Sequence, residues 1–471
     1  MINKRTKIVC TIGPASDKVS TLEKMIRSGM DVARLNFSHG TYPEFKRIIE
    51  NIRQASKNLG IPIAIMQDLQ GPKIRVGEIA AEGIMLKKGR FVTLTVRNVT
   101  GSDGKQTVIP VQYRHLPKDV KKGDRILLCD GMIELHVLSV DGQDINCKVI
   151  VGGLVGKHKG INVPTASISA NPITDKDRKD LAFGLKNDVD YVALSFVKNA
   201  QNIAELRDLI RAGRGRAKII AKVERHEAIR NMEEIIHEAD AVMVARGDMG
   251  VEIAPEKVPV IQKKLIGMAN LHGKPVITAT EMLQSMIENP RATRAEVSDA
   301  ANAVIDHTDA IMLSNESAVG KYPVKACLTL AKVAASTEKE LQKHYRMLPE
   351  RLFRENQPVS YATCAAGAEL AKDIGAKLIV ALTGSGFTAQ HIAKHRIYIP
   401  IVAVTDDPKV QKQLKLVWGV SRALVFKIDF KDPLRQVRKL LLQKKLAGPG
   451  DKVVVVSNAS KGEKLISTII I

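Results

Sequence analysis

In the stretch IIAKVE, residues 219–224, an apolar run ends with Lys222 and Glu224 on either side of one valine. On a strand these two side chains share a face, which sets an ammonium beside a carboxylate where a buried segment ends. Other apolar runs close in the same way: Arg34, Asn36 and Ser38 in DVARLNFS, Asp68 in IPIAIMQDL, Arg246, Gly247 and Asp248 in AVMVARGD, Thr280 in KPVITAT, and Ser314 and Glu316 in AIMLSNE. A single Asp or Asn at a strand end is more often a turn former or helix cap than a ligand, and Lys222 beside Glu224 alone could be a plain ion pair. Together they concentrate charge that a structural strand end does not need.

Glu224 and Asp248, from neighbouring runs, offer hard carboxylate oxygens, which favour Mg²⁺ or Mn²⁺ over zinc. Magnesium keeps water and substrate oxygens in its other positions, so a two-carboxylate site points to an anionic ligand. With Arg34, Lys222 and Arg246 in the set, that ligand is a phosphate or a carboxylate. Gly247 lets backbone approach it, and the amides opening a short turn, DMGVE, suit a carboxylate. Lys222 is then placed to neutralise charge on a group in transfer, the electrostatic work of phosphoryl transfer.

Eight apolar runs end this way or lie among those that do, at 7–13, 31–37, 61–69, 190–197, 217–224, 241–248, 274–280 and 310–316. Amphipathic segments such as PEFKRIIENIRQASKNLG and NIAELRDLIRAGRG separate them. Continuous apolar strands alternating with helices predict a parallel sheet covered outside, and eight units predict an α/β fold, a closed (β/α)8 TIM barrel whose strand C-termini form the active face. An open doubly wound sheet would want a glycine-rich turn after the first strand, and CTIGPAS is not one. The barrel is expected over 1–70 and 167–345. Between the third and fourth runs the period changes, and RFVTLTVRNVTG, GDRILLCDGMIELHVL and DINCKVIV read as strands joined by turns at Asp130-Gly131 and Asp141-Gly142. Residues 71–166 are therefore expected to form an inserted β-barrel lid domain. Strands at AKLIVALTGSG, IPIVAVTDD and KVVVVSNAS predict a C-terminal α/β domain over 346–471.

The chain has 471 residues, 45% hydrophobic, with no run near the roughly 20 apolar residues of a membrane span and no signal-peptide pattern, so a cytoplasmic protein is expected. Its five cysteines are scattered without a C-x-x-C pair, which disfavours disulfides and zinc. A net charge of +22 would suit nucleic acid, membrane lipid or anionic metabolites, but aromatics are only 4%, too few for base-stacking platforms, so no nucleic-acid partner is expected.

The ordered segments KIVCTIGPAS, ARLNFSHG, QDLQGPKIRVG, KGINVP, AKVE, MVARGDMGVE, ITATEMLQSM and AIMLSNESAVGKYP resemble pyruvate kinase. The resemblance implies phosphoryl transfer from phosphoenolpyruvate to ADP, giving ATP and pyruvate. It assigns Lys222 and Arg34 to the phosphoryl group, Glu224 and Asp248 to Mg²⁺, and Gly247, Asp248 and Thr280 to substrate binding. Proton delivery falls to Thr280, through water, with Ser314 and Glu316. Pro14, Asn36, His39, Arg75 and Lys159 match the nucleotide side. Asn36, Ser38 and Asp68 match monovalent-cation positions, but Leu69 stands where potassium-dependent members carry Thr, and Lys73 where they carry a glutamate. A lysine ammonium can supply the charge that K⁺ would, so K⁺ independence is expected. Thr383, Ser385 and Thr388 in LTGSGFTAQHI match an allosteric effector loop for a sugar monophosphate or nucleotide, while the ending SNASKGEKLISTIII lacks the longer glycine-rich loop used for bisphosphates. A homotetramer is implied as well. Two other readings stay open on residues alone: another metal-dependent phosphoenolpyruvate or pyruvate barrel, an aldolase or lyase, and a basic nucleic-acid-binding protein.

Overall fold

The computed structural model describes residues 2–80, 82–104, 106–344, 358–429, 431–458 and 464–471. The expected domain boundary at 345/346 and the ASKGE part of the chain's ending lie outside them.

Eight parallel strands close a barrel: β1 (Lys7–Thr11), β2 (Val32–Asn36), β3 (Ala64–Asp68), β4 (Tyr191–Leu194), β5 (Lys218–Val223), β6 (Ala241–Ala245), β7 (Val276–Ala279) and β8 (Ala310–Leu313), with β8 pairing back onto β1. Alternation divides their side chains into two layers. Val9, Val32, Ala64, Met66, Tyr191, Ala193, Ile220, Ala241, Met243, Ile277, Ala310 and Met312 fill the interior. Ile8, Cys10, Leu35, Ile65, Ala221, Val223 and Val244 join the helices outside. Some of the outer helices start at capping boxes, Thr41 with Glu44 for Tyr42–Leu59 and Thr293 with Glu296 for Arg294–Ile305.

The inserted segment has its own core and a seven-stranded sheet, largely antiparallel. Its longest pair, Ile133–Asp141 with Asp144–Val151, turns through Gly142 at φ 61°, where a side chain would be strained. Beyond the barrel, five strands order as 420–425, 401–405, 378–382, 452–458 and 464–470, the last antiparallel. Val420–Val425 and Lys464–Ile470 were not expected as strands; both are half exposed and lack the continuous apolar run of their neighbours.

This C-terminal unit seals the barrel floor. Leu416 is fully buried in the interior layer. Around it the Tyr191 hydroxyl donates to the Gln413 carbonyl at 2.5 Å, Lys409 meets Asp188 at 2.7 Å, and Arg396 pairs with Asp309 at 2.8 Å. The opposite, C-terminal face stays free for chemistry.

Candidate active site

The inward register that is apolar in mid-barrel turns polar one step higher. Val32 is followed two residues on by Arg34, Met66 by Asp68, Ala193 by Ser195, and Ile220 by Lys222, and the same step places Thr11 above Val9. Those side chains form one connected layer. Arg34 Nε donates to Asp68 Oδ2 at 2.7 Å, and Arg34 Nη1 donates to Thr11 Oγ1 at 2.9 Å. Lys222 Nζ donates to Ser195 Oγ at 2.7 Å and lies 3.5 Å from Asp68 Oδ1 and 3.3 Å from Glu224 Oε2. Ser195 and Thr11 were missed in the sequence reading, although each sits on the inward register of its strand.

Glu224 is 2% exposed. Its Oε1 accepts the Phe196 amide at 2.7 Å, while Oε2 is buried and has no hydrogen-bond partner among the described residues. Burial pushes this carboxyl up to about 7; Lys222 pulls it down and the Asp248 charge pushes it up. Burial alone would lower the Lys222 ammonium, but Asp68, Glu224 and Asp248 outweigh it and hold Lys222 charged well above the ordinary lysine range. Asp68 is likewise held below its usual value by Lys222 and Arg34, against burial. Asp248 is exposed at the mouth of this layer, and its charge acts on both Lys222 and Glu224. A buried oxygen without a donor, facing a second carboxylate, suits a hard divalent cation.

Lys222, Glu224, Asp248 and Thr280 are thus gathered in one place. The Gly247 amide, beside Asp248, donates to Thr280 Oγ1 at 2.7 Å, and that hydroxyl donates to the Ala279 carbonyl at 2.6 Å. Thr280 has φ 70° and Glu281 φ 54°; for a β-branched residue such backbone costs about 1–3 kcal/mol.

Some expectations are corrected. The DMGVE stretch is not a turn: Arg246–Glu252 is helical. Arg246 does not face the anion site; its guanidinium turns away to the Thr280 carbonyl at 2.7 Å and to Asp299 at 2.8 Å. Glu316 is fully buried and each of its oxygens accepts an amide, that of Leu283 at 3.0 Å and that of Ser314 at 2.7 Å, so it ties two loops together. His226, close after Glu224, groups with Glu227 and Glu252 within metal-ligand reach. The Arg225 guanidinium already sits 3.0 Å from Glu227 and 3.8 Å from Glu252, which balances that cluster without a metal.

On the nucleotide side, burial and the charges of Arg75, Lys73, Arg34 and Lys176 all lower the His39 imidazole, so a basic group gathers there. Arg75 Nη1 donates to the His158 carbonyl of the inserted domain at 3.0 Å. Asn36 Oδ1 accepts the Ser38 amide at 3.1 Å. Pro14 and Lys159 are exposed, and no side-chain contact among the described residues ties them to this group. Leu69 is buried in the outer layer, leaving no side-chain oxygen at its position. In the C-terminal unit Thr383 Oγ1 accepts the Gly386 amide at 2.9 Å, Ser385 is exposed, and Thr388 is buried.

Comparison with known families is decisive at this point: the family model "Pyruvate kinase, barrel domain" matches residues 3–327, and "Pyruvate kinase, alpha/beta domain" matches 361–471. The chain belongs to the pyruvate kinase family. It is 45% identical to pyruvate kinase 2 of Synechocystis sp. over 98% of this chain and 77% of that protein. It is 43% identical to the pyruvate kinase of Geobacillus stearothermophilus over 98% of this chain and 79% of that protein. Its fold is similar to the crystal structure of a pyruvate kinase from Cryptosporidium parvum, with a TM-score of 0.92 at 36% identity, covering 99% of this chain and 96% of the other. As a pyruvate kinase the chain is a phosphotransferase that moves the phosphoryl group of phosphoenolpyruvate to ADP, giving ATP and pyruvate. The aldolase, lyase and nucleic-acid readings fall away. No helix among the described residues is long and apolar enough to cross a membrane.

Proposed function

We propose that this pyruvate kinase works with Mg²⁺ held by Glu224 and Asp248 and without a need for K⁺. The observation that carries the metal assignment is the buried Glu224 Oε2, which has no hydrogen-bond donor among the described residues, while Lys222 lies 3.3 Å away and the Asp248 charge acts on the same carboxyl. When bound, the cation supplies Lewis-acid polarisation and charge neutralisation. Lys222, fixed by Ser195 and Asp68, lends its ammonium to the phosphoryl group in flight, where a preorganised charge acts most strongly. Arg34, oriented by Thr11 and Asp68, shares that load. Gly247, which leaves room for close approach, and Asp248 line the carboxylate end of the substrate, while the Gly247 amide holds the Thr280 hydroxyl. The Thr280 hydroxyl already donates to Ala279, so its free lone pair orients a water that delivers the proton to enolpyruvate.

ADP is read as entering against His39, Arg75 and Asn36, with Pro14 and Lys159 meeting it from the loop and lid. Asn36, Ser38 and Asp68 occupy the monovalent-cation positions; Asp68 is already served by Arg34 and Lys222, and Lys73 adds to the positive charge around His39, which supports K⁺ independence. Thr383, Ser385 and Thr388 are read as an effector loop, and a cytoplasmic homotetramer as the assembly.

Pyruvate formation from phosphoenolpyruvate and ADP, followed in potassium-free buffer with Mg²⁺ and then with a chelator, tests this reading. Full activity with Mg²⁺ alone, abolished by the chelator, is the expected result; activity surviving complete removal of divalent metal would overturn it.

A further inference from the structure

By strict alternation along β7, Thr280 would follow inward-facing Ala279 onto the outer side. The left-handed backbone at Thr280 and Glu281 breaks that alternation and brings the Thr280 hydroxyl to the Gly247 amide. Neither residue is glycine, so the surroundings must hold this conformation. Arg246 supplies the holding contacts. Its Nη2 donates to the Thr280 carbonyl at 2.7 Å and its Nε donates to the Ala279 carbonyl at 3.2 Å, so one planar fork spans the two peptides flanking the strained residue. Nη1 is anchored by Asp299 at 2.8 Å and reaches Gln262 Oε1 at 3.5 Å. The side chain is only 12% exposed. A lysine lacks the planar fork that holds these two carbonyls and the Asp299 anchor at once.

We propose that Arg246 is a positioning residue that fixes Thr280 for the proton-transfer half of the reaction, acting through the Ala279–Thr280 backbone and without touching substrate. This rests on the reading of Thr280 as the residue that serves proton delivery. Phosphoryl transfer depends on Lys222, Arg34 and the metal carboxylates, which Arg246 does not contact. Weakening Arg246 therefore slows protonation at C3 of enolpyruvate while leaving phosphoenolpyruvate and metal binding in place.

The test uses the whole chain as native protein, Arg246→Lys, Asp299→Asn and Thr280→Val. Exchange of the pyruvate methyl protons into D₂O, with Mg²⁺ and ATP present, is followed by NMR beside kcat and KM for phosphoenolpyruvate and Mn²⁺ affinity. Arg246→Lys is expected to slow exchange by about 100-fold, the scale of a small misplacement of a reacting group, with KM and Mn²⁺ affinity within about twofold of native. Asp299→Asn, which loosens only the anchor, is expected to slow exchange by roughly tenfold and keeps the inference testable if Arg246→Lys does not fold. Native-like exchange in the folded clasp variants while Thr280→Val is slow would overturn the role of Arg246. Native-like exchange in Thr280→Val would instead overturn the proton-delivery reading beneath it.

Discussion

Lys222 Nζ lies 3.3 Å from Glu224 Oε2, and yet the two are not a satisfied pair: the lysine donates to Ser195 at 2.7 Å, and that glutamate oxygen has no hydrogen bond among the described residues. The ammonium and the carboxylate face one space with separate tasks. Glu224→Gln therefore should abolish activity by removing a metal ligand. Mn²⁺ affinity, measured by EPR, is expected to fall by more than about 100-fold, because the metal contacts depend on an ionised oxygen. Unchanged Mn²⁺ affinity would contradict the assignment.

Glu316 provides a contrast between a staple and a reacting group. Its two oxygens accept the Leu283 and Ser314 amides, so Glu316→Gln turns an N–H toward one of these donors. A loss of stability of about 2–3 kcal/mol is expected in urea unfolding, with activity per folded molecule largely kept. A stable but inactive Glu316→Gln protein would instead support a part for Glu316 in proton delivery beside Thr280.

Acid should loosen the contact between barrel and C-terminal unit. Burial lowers His307, His391 and His395 to about 4 each, aided by Arg396 at His307 and by Lys394 at the other two. These rings stay neutral in the fold but protonate in the unfolded chain near 6.5, so unfolding takes up protons as pH falls. Stability from this source is complete above about pH 6.5 and is lost down to about pH 4, on the order of 3 kcal/mol per ring at most. Tm followed from pH 7 to 4.5 should fall, and His391→Gln should flatten the slope. A flat profile in the native protein would contradict this.

Lys73 and Leu69 carry the potassium prediction. Turnover in K⁺-free and Na⁺-free buffer should match that with K⁺ within about twofold, and Lys73→Glu should introduce a K⁺ requirement by reversing a charge near His39. Collapse of the native rate without K⁺ would refute it.

The barrel was legible because its strands are continuous apolar runs, and period-two alternation carries Lys222, Arg34 and Asp68 to the same inner face as Ile220, Val32 and Met66. The same rule would have found Ser195 and Thr11. It fails at Thr280, where left-handed backbone reverses the facing, and at Arg246, where the strand passes straight into a helix that turns the guanidinium away from the anion site. The direction of such a side chain is set by tertiary partners such as Asp299, distant in sequence, which no local pattern reveals. Val420–Val425 and Lys464–Ile470 escaped for a simpler reason: outer strands are half solvated and lose the apolar signal.

The most direct test of the account is Lys222→Met, assayed for pyruvate from phosphoenolpyruvate and ADP alongside Mn²⁺ affinity. A charge that acts chiefly in the transition state should cost at least about 1,000-fold in kcat when removed, with Mn²⁺ affinity and the KM for phosphoenolpyruvate close to native. Near-native turnover in this variant, or metal binding lost together with activity, would contradict the separation of tasks between Lys222 and Glu224.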